Sequence, residues 1–447
     1  MRRLLIITGL MLLAASGWAD TRSVPSVYST IQTAIDAASA GDSIVVDAGH
    51  YVEQLHITTP GLIIAGAGKG STFIDSPATL ALSYTTSAAN YPIVFVDGVS
   101  VFEMLNLTVD GLGLGNANYR FQGVAFWNSS GSLTDVAVNN ITDTPFSGAQ
   151  HGTGVYAYNN IPGTYDVDLT RVDVPCYQKG GIVLNGTGLN ADLVDCVTTG
   201  AGPTAVTAQN GIQLWGGSGG TISGRAVSGN MYTGTGWAAT GILLISAGTV
   251  AIDNSVVTDN APGVYCQETN ATANGLTVNN VNPASGDGLY VLIYSPLAAM
   301  AKSELSHENP PSPFGDFLDY KAGDKGSRSV QLTNCNFTGQ LTGYGVTACN
   351  YSAADQVNIS MTNSVVNNWD IGGVIYESDG QVSVDASGNS FTSNDYLFYA
   401  DVTVTSVQDL SGNYWGTTDP AVLASGIFGN IDYTPWLGGG TLLPHGF

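Results

Sequence analysis

The chain repeats itself. Residues 240–260, TGILLISAGTVAIDNSVVTDN, hold a glycine and four apolar residues (Gly241, Ile242, Leu243, Leu244, Ile245), a turn, a second strand-like run ending at Val257, and a polar close at Thr258, Asp259 and Asn260. The unit recurs from about residue 100 to 400. One column is glycine followed by an apolar residue: Gly123, Gly154, Gly181, Gly211, Gly241, Gly263, Gly288, Gly345 and Gly373. Most spacings are 22 to 31 residues, with one gap of 57 after Gly288. A second, Leu-Thr-Asn-like column starts at Leu133, Leu169, Leu193, Ile222, Ile252, Leu332 and Met361. Two strand columns at such a period are a solenoid signature: no coil buries its own apolar face, and stacking makes the core. Roughly twelve to fourteen coils with strands about 4.8 Å apart would make a rod about 60 Å long.

Composition agrees. Of 447 residues, 57 are glycine and only 11% are charged, which argues against a helical protein with charged outer faces. Acids outnumber bases 35 to 12, for a formal charge of −23. Such a surface repels nucleic acid and bare polyanions, leaving partners that are neutral, cationic or bridged by a metal such as Ca²⁺. The five cysteines show neither CxxC spacing nor a zinc pattern, and their odd number leaves at least one unpaired in a monomer. They are expected as small residues in or near a solenoid wall.

Residues 1–19 read as a secretory signal: Arg2 and Arg3, an apolar run over 4–15, then Gly17 and Ala19 before a cut at Asp20. A secreted or periplasmic location follows, and no later segment is suited to span a membrane. Residues 20–437 read as one all-β domain, with a tail at 438–447. Ser29 as N-cap, with Ile31, Ala34, Ile35 and Ala38 on one face, predicts a capping helix over about 29–38. Residues 295–329 lack both columns and hold Lys302, Lys321, Lys325 and Arg328, four of the twelve basic residues. This stretch reads as one long inserted loop, with Ser295-Pro296 opening a helix to His307. Trp415, Tyr433 and Trp436, in a C-terminal cap over about 410–437, are expected to pack over the last coil. Asn140, Asn230, Asn260, Asn280, Asn368 and Asn394 sit where coils turn, as structural residues.

Four pieces near the start carry a resemblance: S-T-I-Q-T-A-I-D-A-A at 29–38, G-D-S-I-V-V at 41–46, G-H-Y-V-E at 49–53 and I-I-A-G-A-G-K at 63–69. They resemble the opening of pectin-lyase-like right-handed parallel β-helix proteins, pectin methylesterases among them. Residues 410–421, LSGNYWGTTDPA, with 431–437 resemble the closing segment of secreted bacterial proteins of that type. The resemblance implies a right-handed coil. It does not carry esterase chemistry, since the chain has no Q-D-T, D-F-I-F-G or L-G-R-P-W segment. The N-T-D and D-D segments of polygalacturonases are missing as well.

If the residue after each column glycine points inward, alternation turns out Trp127, Tyr156, Tyr158, Asn185, Gln213, Trp215, Leu243, Ile245, Tyr265, Gln267, Tyr290 and Leu292. Aromatic faces pack on sugar C–H groups and amides satisfy hydroxyls. Trp127, Tyr156, Tyr158, Gln213, Trp215 and Tyr265 are therefore candidate substrate-binding residues for a polysaccharide; the alternative is that the insertion covers this face. A β-eliminating lyase needs a basic group, with Ca²⁺ or a second cation on the uronate. Arg171 with Asp168 and Asp173 is the candidate catalytic set, flanked by Asp166, with Lys179 and Arg225 on neighbouring coils. A surface salt bridge is the competing account of Arg171. A glycosidase needs two carboxyl groups roughly 5 to 10 Å apart, for which Asp166 with Asp168, or Glu377 with Asp379, are candidates. His151 reads as a loop residue, and His50 and His56 carry no partner pattern. The chain thus reads as a secreted protein that binds or modifies an extracellular polysaccharide along one face. The competing class is a non-catalytic structural or adhesive surface protein.

Overall fold

A ladder of glycines climbs one wall of the molecule. In the computed structural model, which describes residues 19–224, 226–235, 239–293, 326–377 and 380–438, a Cβ added at Gly123, Gly154, Gly181, Gly211, Gly241, Gly263, Gly288 or Gly345 would lie closer than 3.0 Å to the carbonyl oxygen of the next ladder glycine. At six of the eight the same Cβ would also strike a valine from another wall (Val138, Val174, Val227, Val257, Val278 or Val366), at Gly181 it would meet Thr198 and at Gly288 Phe337. Only glycine leaves room for both. The ladder ends at Gly372 and not Gly373, because Val346 pairs with Gly373 and so sets Gly345 beside Gly372. Gly373 is held small for a different reason: the Phe398 ring fills the space its side chain would take.

Around this ladder each coil has three walls. The first holds thirteen parallel strands, from Leu55–Ile57 to Ile427–Phe428, among the described residues. Val155, Ile182, Ile212 and Ile242 align residue to residue up its centre. Thirteen rungs about 4.8 Å apart make a stack about 60 Å high. The other two walls are built the same way. In one, Tyr165–Thr170, Leu189–Val194, Gly219–Ser223 and Thr249–Asp253 align Leu169, Leu193, Ile222 and Ile252. In the other, Val197–Thr204, Ala226–Tyr232 and Val256–Thr258 align Thr198, Val227 and Val257. Between these two walls the chain bends through a left-handed residue: Asn106, Asp135, Arg171, Asp195, Asn254, Asn334 and Asn363 all have φ between 47° and 57°. Asn and Asp tolerate this region; an arginine there is unusual.

The gap of 57 is not a degenerate coil. Leu289–Ile293 pairs directly with Tyr344–Asn350, and Asn270–Asn274 with Arg328–Thr333. The extra residues, 294–325, lie outside the described residues, and with them the expected helix and Lys302, Lys321 and Lys325. Arg328 belongs to a wall strand and not to the insertion, with Nε donating to Glu268 O at 2.9 Å. The expected signal peptide up to residue 18, Arg225, Asp379 and the tail from 439 also lie outside the described residues.

At one end the helix is Ile31–Asp36, shorter than expected. Its N-cap is Thr30 and not Ser29, because Thr30 and Thr33 cap each other reciprocally, Thr33 N donating to Thr30 Oγ1 at 3.1 Å. Glu53 accepts from Ile31 N and Gln32 N at 2.8 and 2.9 Å, tying the helix to the first coil. At the other end Trp415 is buried and stacks on Phe391 with centroids 4.9 Å apart, and Tyr433 and Trp436 pack on the core. A second helix there, Pro420–Gly426, capped by Asp419, was not expected. Stacked asparagines bond along the axis: Asn230 Nδ2 donates to Asn260 Oδ1 at 2.9 Å and Asn389 Nδ2 to Asn413 Oδ1 at 3.0 Å. Among the described residues no helix is long and apolar enough to cross a membrane.

None of the five cysteines is in a disulfide, with Cys176 exposed and the others buried. Burial pushes the Cys196 and Cys335 thiols up to about 11 and that of Cys266 to about 12. Iodoacetamide on the native protein should label one thiol, Cys176, and all five only after unfolding, as read by mass spectrometry. Gly211→Ala, whose methyl would sit 2.5 Å from Val227 Cγ1 and 2.7 Å from Gly241 O, should cost about 1–3 kcal/mol in urea unfolding. Gly70→Ala, with open space around it, should change stability by less than about 0.5 kcal/mol.

Candidate functional site

The outer face of the first wall is where the aromatic residues gather. The residues after the ladder glycines (Val124, Val155, Ile182, Ile212, Ile242) are core, so their neighbours one place on point out. Parallel in-register stacking then sets outward rings one rung apart, close to the spacing at which rings stack. His56 lies on Phe95 at 5.1 Å, Phe95 on Tyr84 at 5.2 Å, Tyr84 on Trp127 at 4.6 Å, and Trp127 on Tyr158 at 5.1 Å. Tyr156 adjoins Tyr158 at 6.1 Å. Tyr84 comes from outside the coil, on a short antiparallel strand, Tyr84–Thr85, and its hydroxyl donates to Gln122 Oε1 at 2.8 Å. Higher up, Tyr265 and Tyr290 stack nearly parallel at 5.5 Å.

Alternation thus names the face, while access varies along it. Of the six expected sugar-binding residues, Trp127, Tyr158 and Tyr265 are half-buried. Tyr156, Gln213 and Trp215 are only 4, 1 and 8% exposed. Trp215 packs with Leu243 and Ile245 in a closed apolar cluster. His56, for which the sequence offered no partner, holds Asp97 at 3.0 Å beside the stack, and His50 holds Asp75 at 2.8 Å.

The candidate catalytic residues lie on the other walls and are not gathered at one point. Arg171, at its left-handed bend, grips Asp135 of the adjacent coil through two bonds, Nε at 2.8 Å and Nη2 at 2.6 Å, and this holds the Asp135 carboxyl below its usual range. Lys69 Nζ donates to Asp173 Oδ2 at 2.7 Å and to Arg171 O at 2.6 Å. Asp168 stands on the outer side of Tyr165–Thr170 opposite Asp192; partial desolvation, then Asp192 and Asp166, push its carboxyl upward. This is the surface ion-pair arrangement weighed above for Arg171. Glu377 is buried and caps backbone, accepting from Val382 N at 2.7 Å and Thr405 N at 3.2 Å. Among the described residues no group of three or more His, Cys, Asp and Glu is arranged to hold a metal ion.

A cluster of buried charge beside the Trp127 and Tyr158 rungs of the aromatic stack escaped the sequence reading. Arg120 is 3% exposed, and its Nη1 and Nη2 reach Thr86 Oγ1 at 2.8 Å and Ser87 Oγ at 2.9 Å, holding the segment that carries Tyr84. Lys179 is 1% exposed and donates to Ala208 O at 2.5 Å; burial drives its ammonium down to about 7. His151, read as a loop residue, is buried. Its Nε2 lies 3.2 Å from Asp143 Oδ1 and its Nδ1 accepts from Phe121 N at 3.4 Å, while burial pushes its pKa down. Arg120, Gln122, Gln150, His151, Tyr156 and Lys179 line a cavity of about 20 Å³. The available signal was position: Lys179 stands two residues before ladder Gly181, as buried Gln209 stands before Gly211, so its side chain is turned in.

No protein-family model matches the chain, and no curated protein sequence matches it. Solved structures do show similarity. Pectin methylesterase from carrot is 12% identical, covers 63% of this chain and 89% of its own, with a TM-score of 0.35. The A-module of mannuronan C-5 epimerase AlgE6 from Azotobacter vinelandii is 16% identical over 84% of this chain and 91% of its own, at 0.31. A PL6 family alginate lyase, AlyGC, is 9% identical over 89% and 80%, at 0.20. No activity of this chain follows from similarity at that level.

Lys179 gives the protein a pH signature. Above its ordinary value of 10.5 it is neutral folded and unfolded. As pH falls, the unfolded chain takes up the proton first, so folded-state stability drops until about 7, where the folded side chain is protonated too. Urea unfolding between pH 7 and 10 should show stability rising with pH more steeply in the wild type than in Lys179→Met.

Proposed function

We propose that the chain is a secreted, right-handed, pectin-lyase-like β-helix, residues 20–437 forming one domain, that binds an extended extracellular polysaccharide along the outer face of the glycine-ladder wall. The observation that carries this reading is the continuous stack from His56 to Tyr158 on that face, with Trp127 and Tyr158 only half-buried. Sugar C–H faces pack on such rings, and the adjacent His56–Asp97 pair offers hydrogen bonds to hydroxyls. The formal charge of −23 favours a neutral glycan or one bridged by Ca²⁺. Lys179 and His151, whose pKa values burial pushes down, are 1 and 5% exposed and so do not meet a sugar on this face. The location outside the cytoplasm rests on the signal-like residues 1–19.

Affinity electrophoresis against neutral and Ca²⁺-bridged acidic plant and algal polysaccharides tests the reading. At least one should retard the protein, and Trp127→Ala and Tyr158→Ala should each weaken binding about three- to tenfold. Trp215→Ala, at a closed position, should instead lower stability by about 3–5 kcal/mol. If no polysaccharide in a broad panel retards the protein, the rod is better read as a structural or adhesive element.

A further inference from the structure

We infer that processing completes the first coil: cleavage between Ala19 and Asp20 frees an α-ammonium on Asp20 that pairs with the carboxylate of Asp42. The inference rests on the secretion proposed above, and its geometry is in place before the cut. Asp20 N donates to Asp42 Oδ1 at 2.8 Å, and Asp20 O accepts from Ser43 N at 2.9 Å, so the residue is held through both of its backbone groups. It leads directly into the strand Thr21–Val24, which pairs in register with Ser43–Val46. Asp42 is 2% exposed, whereas Ala19 and Asp20 are both exposed. The acceptor is thus fixed by the fold, and the bond to be cut lies outside it.

The other oxygen of Asp42 is already committed. Oδ2 accepts from Ser39 N at 2.8 Å and from Arg22 Nε and Nη2 at 3.1 and 2.7 Å. Arg22 Nη1 donates to the Tyr28 hydroxyl, which keeps the guanidinium on the Oδ2 side and leaves Oδ1 to Asp20. The Ser39 and Asp20 amides, then Arg22, hold the carboxyl down at about 2, so it is ionised at neutral pH. In the uncut chain Oδ1 receives a peptide N–H, one donor without charge. A signal peptidase, the hydrolase class that removes such segments, adds water across the Ala19–Asp20 bond. Ala19 leaves with the new carboxylate, and Asp20 N becomes a free amine, protonated at neutral pH because an α-amine titrates at about 8. Three N–H donors and a positive charge then stand at the nitrogen that carried one N–H. Arg22 shares the carboxylate, so the gain is on the scale of a partly exposed pair. A solenoid frays from its ends, where a coil has a neighbour on one side. The new charge adjoins such an end strand, so cutting the chain also tightens the end of the stack.

Expression of the full chain in a secreting bacterial host tests the cut: intact mass and the N-terminal peptide should show a product that starts at Asp20. Hydrogen exchange by mass spectrometry then compares this product with one in which Gly-Ser is inserted between Ala19 and Asp20, so that the same cut leaves an amide at Asp20 N. Exchange over residues 21–24 should be about two- to fivefold slower in the product that starts at Asp20, and Asp42→Asn should remove the difference. Should Asp42→Asn not fold, acetylation of the α-amine at about pH 6.5, where lysines stay protonated, keeps the N–H and removes the charge; it should bring exchange to the rate of the extended product. Equal exchange in the two products, a difference that survives acetylation or Asp42→Asn, or an exported chain that starts at another residue would each overturn the inference. A chain neither exported nor cut would instead count against the proposed secretion. The pairing would then be decided by the same exchange measurement on protein released from a cleavable tag with Asp20 first.

Discussion

A ladder glycine lies tight against the carbonyl one rung away. A side chain there would have to displace both that carbonyl and the side chain behind it, most often a valine. Glycine carries a conformational entropy cost in a strand interior, so nine of them in one line mark a position where contact outweighs flexibility. With the glycines in line, every residue two places on falls above its counterpart. The cross-section of the coil is thereby set by backbone meeting backbone, and the identity of the outward residues is left free.

That freedom explains why the columns differ in character while sharing one geometry. Stacked asparagines at coil turns hydrogen-bond to one another inside the wall. Stacked rings on the first wall share faces. Stacked acids on another wall repel, which is part of why Asp168 is pushed upward opposite Asp192. Arg171 occupies a bend that Asn or Asp fills elsewhere, and the Asp135 one rung away answers it with a bidentate pair. Parallel register turns any repeated choice into a line of like interactions, favourable or not.

Much of the fold was legible for the same reason. Leu169, Leu193, Ile222 and Ile252 read as one column and stand as one. What the period could not report was anything that depends on where non-repeating chain lies. Alternation turned Tyr156, Gln213 and Trp215 outward correctly but said nothing of their burial, which requires knowing what folds against the wall; Tyr84, 72 residues before Tyr156 and on no column, is such a case. Gly372 and Gly373 are equivalent on paper, and only the register separates them. The helix Pro420–Gly426 carries a local signal, since Asp419 before Pro420 is an N-cap before a first-turn proline.

The buried charges mark where regular and irregular chain meet. Lys179 leads into a wall strand, whereas Asp143 and His151 come from the connection that precedes Thr153–Tyr158, and the hydroxyls that hold Arg120 come from the segment beside Tyr84–Thr85. A stack of identical rungs offers the same surface at every height and cannot by itself choose where a ligand sits. Selection along the rod has to come from departures from the period, and in the described residues the largest departure that also brings charge together is this one. The aromatic columns supply a track, and the irregular segments beside its Trp127 and Tyr158 rungs distinguish that end of the track from the other.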